Sequence, residues 1–156
     1  MRPDSVRFGN RILAVALFAI TAPLAATPAP AQTSDLSSTR SRAEAQHEIV
    51  MLLIQKKEFT KAAEEANKIF QMKWPVGEEP VLLKELLGFS DQFRHHGQPA
   101  IAVQLLDANM NMFKTPASKV AIWKDNGYLM EAMGNHDKAI DCFREALRFE
   151  KKSPLP

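Results

Sequence analysis

The stretch WKDNGYLMEAMGNHDKAIDCFREA, residues 123–146, decides how this chain is read. Trp123, Gly127, Gly134, Ala139, Phe143 and Ala146 set out the pattern W-x3-G-x6-G-x4-A-x3-F-x2-A. Apolar residues three and four apart mark a helical face on each side of Gly134-Asn135, the pair that breaks the period. So short a break obliges the two helices to run antiparallel as a hairpin. Ala139 is small enough to let the helices approach closely. Gly134 permits the left-handed backbone of the turn, and Phe143 fills the wedge between the helices.

Outward from this stretch, turn chemistry recurs at Lys57-Glu58, Trp74 to Pro80, His96 to Pro99 and Lys114 to Ser118. The periodic segments between predict six helices, at about 40–56, 59–73, 81–95, 99–113, 118–133 and 136–150. A weaker copy of the frame falls on Leu86, Ser90, Gly97, Ala102, Leu106 and Asn109. The first pair of helices keeps Phe59, Ala62, Ala66 and Ile69 but has neither the Trp nor the two glycines.

This frame resembles the tetratricopeptide repeat family, whose first helix carries a Trp and a Gly where Trp123 and Gly127 stand. The equivalent frames lie 40 and 37 residues apart, against about 34 in the family, with the excess in linkers such as WPVGEEP. Two departures are Asn126, where a Leu is usual, and Pro99, where an aromatic is usual; a proline opening a helix loses nothing by its missing N–H. The resemblance implies an all-α fold of three antiparallel helix hairpins stacked as a short right-handed solenoid. The repeat domain would cover 40–153, with hairpins at about 40–76, 81–116 and 118–153. It also implies a concave face lined by His47, Met51, Lys84, Leu87, Asp91, Arg94, Lys124, Tyr128 and Glu131. Such a mixed lining suits an extended or helical peptide with apolar anchors and charged groups. Positions where some family members clamp a terminal carboxylate carry His47, Met51 and Gly88 here, so that mode is not expected.

The N-terminus reads as an address label. Arg2, Arg7 and Arg11 precede the apolar run ILAVALFAI, residues 12–20, and a Pro- and Ala-rich stretch ends in Ala29-Pro30-Ala31. A basic leader, a short apolar run and an A-x-A site describe a secretory signal over 1–31, cleaved after Ala31, of the kind that exports bacterial proteins to the periplasm. Nine apolar residues fall well short of the roughly 20 that span a bilayer, so no stable membrane anchor is expected. Residues 32–39 are polar and Ser-rich and read as a disordered connector. The formal net charge of +2 arises wholly from this leader, through three arginines and Asp4. A balanced remainder gives no reason to expect a nucleic-acid partner. The single cysteine, Cys142, has no internal partner for a disulfide.

No residue pattern announces a reaction, a metal site or a cofactor, so a non-catalytic chain is expected. His95 and His96 are adjacent and diverge by about 100° on a helix. His47 and His136 stand alone, and the six glycines form no phosphate loop. The carboxylate pairs Glu64-Glu65 and Glu78-Glu79 read as solvated charge, and Met110, Met112, Met130 and Met133 as gap-filling core. Trp74 either caps the first hairpin or lies exposed. On the last helix Ala139, Ile140, Phe143, Ala146 and Leu147 read as the inward stripe. Cys142 and Phe149, seven apart, read as a flank open to association. The function expected is a protein- or peptide-binding adaptor of the periplasm or cell envelope. The alternatives are a structural subunit of a fixed envelope assembly and a homo-oligomer, such as a homodimer, formed through the uncapped last helix.

Overall fold

The computed structural model describes residues 31–151, with side chains from residue 36 onward. The stretch expected to be a secretory leader, residues 1–31, therefore lies outside the described residues, apart from the backbone of Ala31. Six helices follow one another: α1 (Ala31–Gln55), α2 (Phe59–Phe70), α3 (Glu79–His95), α4 (Pro99–Asn109), α5 (Pro116–Ala132) and α6 (His136–Glu150). They pack as three hairpins, α1–α2, α3–α4 and α5–α6, as the periodicity predicts. Between hairpins, α4 packs on α2 and α5 on both α3 and α4, whereas α1 lies on α2 and stands off α3.

The three hairpin turns are built alike. Lys57, Gly97 and Gly134 all adopt the left-handed backbone, at φ of 61°, 71° and 74°. Their N–H groups donate to the carbonyls of Ile54, Arg94 and Glu131 at 2.9, 3.0 and 2.8 Å. The next residues, Glu58, Gln98 and Asn135, donate to Leu53, Phe93 and Met130 at 2.9, 2.8 and 2.9 Å. These six bonds satisfy carbonyls that a helix end leaves bare. They also fix the equivalence of positions across hairpins. Lysine in the left-handed region costs about 1–2 kcal/mol that glycine avoids, so the first turn is the strained one.

Helix starts follow local chemistry. Thr115 caps α5, its Oγ1 accepting from the Ser118 N–H at 3.2 Å, and Pro116 fills the first turn. Asn135 caps α6 by accepting from the Lys138 N–H at 3.3 Å. Pro99 opens α4 as anticipated. That helix ends at Asn109, and a 3-10 turn over Met110–Met112 completes the run expected to be helical to 113.

The polar stretch 32–39 lies within the first turns of α1. Nothing between Ala31 and Gln55 is Gly or Pro, so a helix anchored by Ala43, Val50 and Ile54 extends backward at little cost per residue. The core joins Val50 and Ile54 to Leu86, Phe89, Phe93, Leu105, Leu106, Phe113, Ile122 and Leu129.

The inward stripe of α6 needs correcting. Ala139, Cys142 and Ala146 are buried, whereas Ile140 and Leu147 are exposed. Of the two residues read as an association flank, Cys142 is 8% exposed and Phe149 half-buried. The thiol is buried, and Phe149 receives the Lys119 ammonium over its ring at 5.2 Å. Burial, with Asp107 and Asp141 nearby, pushes the thiol above its ordinary pKa, which keeps it protonated and a poor nucleophile.

Candidate functional site: a cleft between the first and second hairpins

Because α1 stands off α3, a cleft of about 330 Å³ opens between them. Its α1 wall is Arg40, Ala43, Glu44, His47 and Glu48, spaced at the helical interval that puts them on one side. The α3 wall is Val81, Leu82 and Glu85, and Ile69 and Trp74 close the end. Ala43, Ile69 and Leu82 are buried members of the core, so the floor is apolar and continuous with it.

Two polar bridges span the gap. The Arg40 guanidinium donates to both carboxylate oxygens of Glu78, at 2.9 and 3.0 Å. His47 Nδ1 lies 2.5 Å from Glu85 Oε1, and its ring rests on Phe89 with centroids 5.2 Å apart. Trp74 resolves the choice left by the sequence in favour of capping. Its Nε1 donates to the Ile69 carbonyl at 2.8 Å, which satisfies the indole and holds the ring as a half-buried wall. Among the described residues, Glu44 and Glu48 have no hydrogen-bond or ion-pair partner, so the α1 rim carries uncompensated negative charge.

The adjacent carboxylates of the linker are not merely solvated. Glu78 takes Arg40, as above, and Glu79 clamps the joint between the second and third hairpins. Glu79 accepts from the Lys114 N–H at 3.2 Å, the Thr115 N–H at 3.0 Å and the Thr115 hydroxyl at 2.7 Å. Burial alone would raise its pKa, but hydrogen bonds from Ser118, Thr115 and Lys114 outweigh it and bring the value to about 2.

The nine positions expected to line a concave face are not gathered into one pocket. Only His47 lines the cleft. Met51 and Leu87 are half-buried against the core. Asp91 and Arg94 pair with each other, and Asp91 also lies 3.2 Å from His95. Beside them Ser90 donates to the Asp125 carboxylate at 2.5 Å across the α3–α5 contact. Burial raises the pKa of Asp125, opposed by that hydrogen bond and by Arg94. Lys124 reaches Glu150 at 3.8 Å, and the Tyr128 ring meets Phe143 edge-on at 5.3 Å. Lys84 and Glu131 are exposed.

Sequence reasoning missed Glu44, Glu48, Trp74, Val81 and Glu85 as cleft residues. The signal available was the i, i+4, i+8 row Arg40, Glu44, Glu48 on an otherwise apolar-backed helix. Among the described residues no His, Cys, Asp and Glu side chains are grouped to hold a metal ion, and no helix is long and apolar enough to cross a membrane. Comparison with family models, curated proteins and solved structures found no match to the chain.

Proposed function

We propose that the chain is a non-catalytic binding module of the tetratricopeptide type, directed to the periplasm by its leader, which holds a segment of another protein in the α1–α3 cleft. The tetratricopeptide reading is supported by the frame from Trp123 to Ala146, by three like-built turns and by hairpins packed in series. The observation that carries the binding role is the cleft itself: an apolar floor open to solvent beside two carboxylates with no partner among the described residues. The occupant that complements it presents an aliphatic or aromatic side chain to Ile69 and Leu82. It carries a lysine or arginine within one helical turn, to meet Glu44 and Glu48.

Trp74 reports on the site once the other tryptophan is removed. In a Trp123→Phe background, titration with short peptides pairing Leu with Lys should shift Trp74 emission saturably. Glu44→Gln with Glu48→Gln should weaken that binding about tenfold, about 1.4 kcal/mol. Equal binding of peptides bearing Glu in place of Lys, or no emission change with any apolar–basic peptide, would sink the reading.

A further inference from the structure

We propose that copies of this chain stack head to tail, the exposed side of α6 on one copy receiving the exposed side of α1 on the next. The inference is independent of the cleft and of any family resemblance. It rests on comparing the same structural position in three hairpins, with the turns at Lys57, Gly97 and Gly134 as the common reference.

On the leading helices, Ile49, Phe89 and Asn126 are equivalent. Ile49 is 45% exposed, whereas Phe89, with a hairpin in front of it, is 1% exposed. Leu52 repeats the contrast: it is exposed, while its third-hairpin counterpart Leu129 is fully buried. On the trailing helices the order reverses. Phe70, with a hairpin behind it, is 7% exposed; Met110 is half-buried; Leu147 is 55% exposed. Ile140 is exposed where Ala63 and Val103 are half-buried.

The four uncovered aliphatics are thus the positions that hairpin-on-hairpin packing covers within the chain. Ile49 and Leu52 lack a hairpin in front, and Ile140 and Leu147 lack one behind, among the described residues. A second copy brings the missing partner to each, continuing the contacts by which α5 lies on α3 and α4. Charge does not oppose it. Arg144 is paired with Asp141 at 3.1 Å and Arg148 with Glu145, so the border of the α6 face is neutral. The two faces differ, so the contact is heterologous and builds a ring or an open chain of copies rather than closing as a two-fold dimer.

The test is complementation between two blocked variants of the full chain. Sedimentation velocity of the unmodified protein should show a weight-average mass rising about twofold or more with concentration. Ile49→Glu/Leu52→Glu should stay monomeric, as should Ile140→Glu/Leu147→Glu, both with unchanged helical circular dichroism. Mixed, each still has one intact face, and they should form a one-to-one dimer and nothing larger. A monomer at every concentration overturns the proposal, as does a mixture that stays monomeric. Self-association of the Ile49→Glu/Leu52→Glu variant also overturns it, in favour of an α6–α6 contact. Should glutamate unfold either variant, the Gln substitutions at the same positions carry the same readout.

Discussion

At Gly127 the α5 backbone passes under the Phe143 ring so closely that a Cβ there would meet ring atoms at 2.6, 2.7 and 2.9 Å. In the other hairpins the equivalent positions pair Ser90 with Leu106 and Val50 with Ala66. As one member grows from Gly to Ser to Val, the other shrinks from Phe to Leu to Ala. Gly127→Ser alone is therefore expected to destabilise the fold by about 1–3 kcal/mol through overpacking. Combined with Phe143→Leu, which copies the second hairpin, it should recover most of that loss. Urea denaturation of both single variants and the double closes the cycle, and simple additivity would show that the two positions do not share a volume. The glycine and the phenylalanine were legible in the sequence because their spacing is distinctive. Lys57 was not: lysine gives no hint that its backbone will turn left-handed, and only the tertiary closure of the hairpin forces it there.

The linker from Trp74 to α3 shows what element-level reading loses. Glu78 and Glu79 are neighbours, yet one grips α1 from 38 residues away and the other the α4–α5 joint up to 36 residues away. Adjacent acids in a loop read as solvent-facing, because nothing local names partners that only folding brings near. Glu79 yields a signed pH dependence. Its carboxyl is held at about 2 in the folded chain against an ordinary 4.5. The clamp therefore contributes fully above about pH 4.5 and is lost as the pH falls toward 2. Glu79→Gln should cost about 1–2 kcal/mol near neutrality, as for hydrogen bonds to a charged acceptor. It should also flatten the acid side of the stability curve, as followed by thermal melts from pH 7 to pH 2. An unchanged acid limb would mean that the carboxylate is solvated after all.

For the molecule as a whole, the hairpin order and turn positions were legible, since periodicity and breaks are local. The cleft was not, because it arises from α1 lying on α2 while standing off α3, a tertiary separation no spacing encodes. The same uneven packing predicts how the fold opens. The α5–α6 hairpin has the most extensive helix–helix contact of the three, and caps at both helix starts. The first turns of α1, before Ala43, contribute no buried side chain among those described. Amide hydrogen exchange should be slowest in α5 and α6 and fastest over residues 36–42. Equal protection along all six helices would contradict this.

The inverse sizes at Val50 and Ala66, Ser90 and Leu106, and Gly127 and Phe143 also bear on how such a chain can change over generations. Crossing over at the linkers exchanges entire hairpins and keeps each bulky residue with its own recess. Crossing over at Lys57, Gly97 or Gly134 would mate helices from different hairpins. A glycine would then face an alanine across a hole, or a valine would face a phenylalanine with no room for it. The smallest piece that can be duplicated or traded without repair is the helix pair.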